Sequence, residues 1–97
     1  MTDEEREHLI GFVGANAEVG AVVPESGGVR KLRWAVKGKG KRGGVRVIYY
    51  FHNDAFPVFL LTVYAKNQKA NLTKAERNEL KALVPMLVKT HGKGRQQ

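Results

Sequence analysis

The chain reads as an α+β protein: one helix, a small antiparallel sheet built on a three-strand meander, and a second helix. Three observations lead there. Apolar residues recur at helical spacing near both ends, within residues 9–13 and 80–88. Between them, Leu32, Trp34 and Val36 alternate with Lys31, Arg33 and Lys37, and Val45, Val47, Tyr49 and Phe51 alternate with Arg46, Ile48, Tyr50 and His52. That period of two belongs to a strand. The strand-like runs follow one another with no helix-length segment between them, so they connect most simply as antiparallel neighbours.

The elements follow in order. Thr2 and Glu5 have the spacing of a capping box, and Asp3, Glu4 and Glu5 fill the first turn, where the helix dipole favours negative charge. Leu9, Ile10, Phe12 and Val13 then share a face, and the helix is expected to end near Asn16. Residues 17–28 hold Gly20, Pro24, Gly27 and Gly28 and read as a further short helical turn and a loop. The first strand begins at Val29, with Leu32, Trp34 and Val36 toward the core and the cations on the other face. "KGKGKRGG" (37–44) is too glycine-rich for a strand and reads as a flexible connection. "VRVIYYFH" (45–52) is the second strand. "NDAFP" is a turn that leaves Pro57 at a strand start. "VFLLTVYA" (58–65) is apolar on both faces, which predicts a central strand covered on both sides. Thr73 and Glu76 form a second capping box, followed by a stripe of Leu80, Leu83, Val84, Leu87 and Val88. Pro85 predicts a kink or stop within 82–86, and residues 91–97 are expected to fray. The helices should pack on one face of the sheet, leaving Lys31, Arg33 and Arg46, with Tyr50 and Tyr64, on the other.

The totals bound the rest. Ninety-seven residues with 42% hydrophobic content suit one domain, 1–97, with one core. Without cysteine there is no disulfide framework, thiolate metal site or cysteine nucleophile. No apolar run approaches the ~18 residues that span a bilayer. The acidic, polar start is unlike a signal peptide, so a cytoplasmic location is expected. The net charge of +8 is unevenly placed. Residues 1–25 hold six acids and one base; residues 26–97 hold 16 bases and three acids. Eight cations and no acid fall within the 17 positions 30–46: Arg30, Lys31, Arg33, Lys37, Lys39, Lys41, Arg42 and Arg46. A polyanion would be drawn to this region and repelled by the first.

Gly38, Gly40 and Gly43 spell a dinucleotide-binding pattern, but a strand rather than a helix follows, so the phosphate would lack its helix N-terminus. The better reading is a cationic loop between cationic strands, suited to a nucleic-acid backbone. His8, His52 and His91 have no metal-ligand spacing, and no cofactor is expected. The acids form no evident catalytic pair. Tyr64, Lys66 and Asn67 lie between a strand and a helix cap, where side chains project from a rigid edge.

"GGVRKLRWAVKGKGKRGGVRVIYYF" and "FLLTVYAKNQKANLT" together resemble the RelE/HigB-like toxins of bacterial toxin–antitoxin pairs, within the RelE/ParE superfamily. The likeness runs from about Val19 to Val84. It implies helices packed against an antiparallel sheet. It also implies a ribosome-dependent endonuclease that cuts mRNA in the A site, silenced by a cognate antitoxin, expected to be a helix-turn-helix DNA-binding protein. Members of the family usually begin with a strand before the first helix. Here the helix cap follows Met1 at once, so that strand is expected to be missing.

Such cleavage can use the substrate's own 2′-OH and needs a base, charge neutralisation on the phosphorane and an acid, with no metal. The resemblance puts catalytic groups at Lys31, Arg33 and Arg46 and, more loosely, at Tyr64, Lys66 and Asn67. Arg46 is the expected phosphate ligand, Lys31 the candidate base, and Lys66 or Tyr64 the candidate acid. Arg30, Lys37, Lys39, Lys41, Arg42 and Lys69 would dock ribosomal RNA. Two rivals remain at this stage: a toxin of the same fold that poisons gyrase, and a non-catalytic RNA- or ribosome-binding module.

Overall fold

The computed structural model describes residues 2–35, 44–53, 58–65, 68 and 71–95, the last five without their side chains. The expectations for Val36, Lys37, Lys39, Lys41, Arg42, Pro57, Lys66, Asn67 and Lys69 lie outside these residues, as does the side chain of His91.

Helix α1 spans Asp3–Ala15. Thr2 Oγ1 accepts from the Glu5 amide at 3.1 Å and Glu5 Oε1 accepts from the Thr2 amide at 2.9 Å, the reciprocal capping box expected. Asn16 is the C-cap, its amide donating to Phe12 and Val13. No strand precedes α1 among the described residues. Strands β1 (Ala21–Val22), β2 (Arg30–Trp34), β3 (Val45–Tyr50) and β4 (Phe59–Ala65) form one antiparallel sheet in that spatial order. Helix α2 runs Lys74–Arg95. Its N-terminus repeats the reciprocal cap, with Thr73 Oγ1 accepting from the Glu76 amide and Glu76 Oε1 from the Thr73 amide.

The fold class stands, and five details differ from expectation. First, β1 adds a fourth strand within the segment read as turn and loop. Ala21 and Val22 pair with Lys31 and Arg30. Two residues are too few to show a period, but the return loop has the chemistry of a tight hairpin. Glu25, Gly27 and Gly28 take positive φ. The wholly buried Ser26 hydroxyl donates to Val23 O at 2.7 Å and accepts from the Val29 amide at 3.1 Å.

Second, β3 rather than β4 is the central covered strand: all six of its residues are buried, and β4 is an edge. Third, the helices lie on opposite faces. Leu9 and Val13 of α1 pack with Val45, Val47 and Tyr49, supported by Phe12, Leu32 and Trp34. Val84 of α2 packs with Ile48, Tyr50, Tyr64, Val29 and Leu72, supported by Leu80 and Val88. The cause lies in β3. Ile48 and Tyr50 put apolar bulk on the second face, and burying such a side chain stabilises by about 1.5–3 kcal/mol. Ile10, expected on the buried face of α1, is half exposed.

Fourth, α2 passes through Pro85. Leu80 and Val84 before it and Val88 after it all contact the same core, so packing outweighs the lost donor. Fifth, α2 continues to Arg95, into the segment expected to fray.

Candidate nucleic-acid interface

The register brings three of the predicted strand residues into a single row. On the α2 side of the sheet, Arg33 of β2 lies directly opposite Arg46 of β3, and Arg46 directly opposite Tyr64 of β4. One pleat repeat along, Lys31 lies opposite Ile48, and Ile48 opposite Thr62. Lys31, Arg33, Arg46 and Tyr64 therefore share a face, in a patch three strands wide.

Their environments differ. Arg33 is exposed and Lys31 half-buried. Arg46 keeps only 9% of its surface and Tyr64 only 6%. Both had been expected on an open face, as had Tyr50; the packing of α2 on that face accounts for the burial of Tyr50 and Tyr64. Among the described residues neither Arg33 nor Arg46 forms an ion pair with an acid. Like charges directly opposite on an antiparallel pair are destabilising, since their Cβ atoms stand about 4.5–5.5 Å apart. An incoming anion relieves that repulsion, and a guanidinium fork offers paired donors to two phosphate oxygens.

Lys31 is held from the side: its Nζ donates to Asn71 Oδ1 at 2.8 Å, tying β2 to the segment that enters α2. Asn71 was not foreseen, and the 40-residue separation left no local signal for it. His52, doubtful from sequence, has its Nδ1 3.1 Å from the Tyr50 hydroxyl, and the two rings pack at 6.2 Å.

Arg30 does not join the row. Its neighbour in register is Tyr49, on the α1 side, and its Nη1 donates to the Glu18 and Gly20 carbonyls at 3.1 and 2.8 Å. That guanidinium anchors the chain between α1 and β1. Tyr49 works beside it, its hydroxyl donating to Ala17 O at 2.7 Å and accepting from the Gly20 amide at 2.9 Å.

A four-stranded antiparallel sheet between two helices, with a cationic row across its central strands, defines a class of small basic proteins suited to a polyanion. The model of the RelE toxin of the RelE / RelB toxin–antitoxin system matches residues 15–96 of the chain. The protein belongs to that family, and with it comes the role of toxin in a toxin–antitoxin pair with an antitoxin as partner. Among the described residues no helix is long and apolar enough to cross a membrane.

Proposed function

We propose that the protein is an endoribonuclease that cuts mRNA in the ribosomal A site and so stops translation. The observation that carries this reading is the Arg33–Arg46–Tyr64 row with Lys31 one repeat away on the same face. These groups suit the cleavage of a ribose–phosphate chain by its own 2′-OH. The 2′ oxygen attacks the adjacent phosphorus while Lys31 takes the proton. Asn71 steadies the amine for that task. Arg46 and Arg33 receive the charge that builds on the phosphorane oxygens. The bond from phosphorus to the 5′ oxygen breaks, and Lys66 gives that oxygen a proton; the Tyr64 hydroxyl, the other candidate, is closed off from solvent. The products are a 2′,3′-cyclic phosphate and a 5′-hydroxyl. No step calls on a cofactor.

Burial sharpens the role of Arg46. A nearly desolvated guanidinium interacts more strongly with developing charge than an exposed one, because the local dielectric is lower. Lys37, Lys39, Lys41, Arg42 and Lys69 serve the docking of ribosomal RNA in this reading, through contacts that carry no sequence information.

The test is Arg46→Ala in a reconstituted translation system with 5′-end mapping of the mRNA. The expected loss is about 10²–10³ in turnover, as for removal of an oxyanion donor. Undiminished cutting overturns the assignment of Arg46. Intact mRNA with the unaltered protein, together with DNA damage in cells, would move the function to a DNA enzyme. Salt-sensitive ribosome binding without any cleavage would make it a non-catalytic module.

A further inference from the structure

The chain beyond β4 is tied back to the last residue of that strand by two hydrogen bonds. The Ala65 amide donates to Gln68 Oε1 at 3.0 Å, and the Gln68 amide donates to the Ala65 carbonyl at 3.0 Å. Ala65 ends β4 and pairs with Val45. In an antiparallel strand the N–H and C=O of one residue point to the same side. Those of Ala65 both meet Gln68, so they point away from β3, toward the open edge of the sheet. Gln68 itself is exposed. Lys66 and Asn67 are the two residues between the bonded pair, and Tyr64, opposite Arg46, is the residue before it. The two bonds therefore fix where the chain leaves the Arg33–Arg46–Tyr64 row and where it comes back to the edge.

We infer that Gln68 is a positioning residue for Lys66: by holding both polar groups of Ala65, it fixes the root of the lysine that protonates the leaving 5′ oxygen. The inference rests on the proposed function, which gives Lys66 that step. A lysine carries its charge on a flexible four-carbon stem. Proton transfer needs the donor within about 2.6–3.2 Å of the oxygen. A misplacement of about 1 Å can cost about 10²-fold in rate. Other groups of the proposed reaction are held in place, Arg46 by burial and Lys31 by its bond to Asn71. Gln68 supplies the corresponding restraint next to Lys66. A bond that only finished the edge strand would act on stability alone, and its effect on turnover would not depend on which residue stands at position 66.

The test is Gln68→Met in the full chain, assayed in the reconstituted translation system. Methionine keeps the length of the side chain and loses the strong acceptor. Turnover is expected to fall about tenfold or more, with KM for ribosomes unchanged. Gln68→Glu keeps an acceptor at the same reach and should restore turnover. In a Lys66→Ala background Gln68→Met should cost nothing further, because both changes act on one step. In an Asn67→Ala background it should cost its full amount. Hydrogen exchange at the Ala65 amide, followed by NMR, should quicken in Gln68→Met and not in Gln68→Glu. Full turnover by Gln68→Met overturns the inference. So does an equal further loss in the Lys66→Ala background, a Lys66→Ala protein that cuts at the full rate, or a loss of turnover without faster exchange at Ala65. Each of these leaves cleavage by the unaltered protein standing. Absence of that cleavage overturns the proposed function and this role with it, so the two failures are told apart.

Discussion

Gly44 and Gly11 show how one residue type carries opposite consequences in this chain. Gly44 leads into β3 with φ of 91°, and a Cβ there would meet the Trp34 carbonyl oxygen at 2.6 Å. Gly44→Ala should destabilise by more than the ~1–2 kcal/mol of left-handed strain alone. Gly11 lies inside α1 with nothing within 4 Å of its would-be Cβ. Gly11→Ala should stabilise by about 0.5–1 kcal/mol. Urea melts of the two variants, read for opposite shifts of midpoint, check both. Tyr49→Phe is a third case. It takes from the Gly20 amide the hydroxyl that accepts its hydrogen bond in a buried place and should cost about 1–3 kcal/mol, seen in the same melts. At this scale the sequence was only partly legible. That Arg33 and Arg46 share a face follows from alternation and a meander and was anticipated; their direct pairing is set by the register. The contacts Lys31–Asn71 and Tyr49–Ala17 join positions 40 and 32 residues apart, and no periodic pattern encodes them.

Elements were more legible where their signals are local. Both helix starts are given by Thr-x-x-Glu, and both caps form as the spacing predicts. Strand order was harder. "VFLLTVYA" and "VRVIYY" are both apolar on two faces, and composition does not say which one has neighbours on each side. The chain places β3 between β2 and β4, which leaves β4 at the edge with Leu60 38% and Val63 43% exposed. Pro85 misled for a related reason, since propensity is weighed against packing that only the fold reveals. The same balance gives a prediction. With Val84 buried and Val88 packed in one core, α2 carries a proline that leaves the Lys81 carbonyl without its usual donor. Pro85→Ala should restore that bond and raise stability by about 1–3 kcal/mol, a gain of several degrees in Tm by calorimetry. A lower Tm would mean that the proline ring itself packs usefully.

Across the molecule, the sheet separates the acidic first turn of α1 from the cationic row. Acidic α1 packs on one face, and Lys31, Arg33 and Arg46 belong to the other. A polyanion that reaches the cationic face has a full layer of protein between itself and Glu4 or Glu7. That layer is comparable to the Debye length, about 8 Å at physiological ionic strength. The two faces should therefore act independently on RNA binding. Arg33→Gln removes an exposed phosphate contact, and the slope of log K against log salt for single-stranded RNA should fall by about 0.7. Glu4→Gln with Glu7→Gln should leave that slope unchanged and alter affinity only at low salt, where the screening length grows. Arg46 is nearly buried, so Arg46→Gln should affect turnover more than the slope. Filter binding from 50 to about 200 mM salt separates the three. A slope that responds to the α1 acids as strongly as to Arg33 would place the RNA across both faces, and the row on β2, β3 and β4 would then be only part of its path.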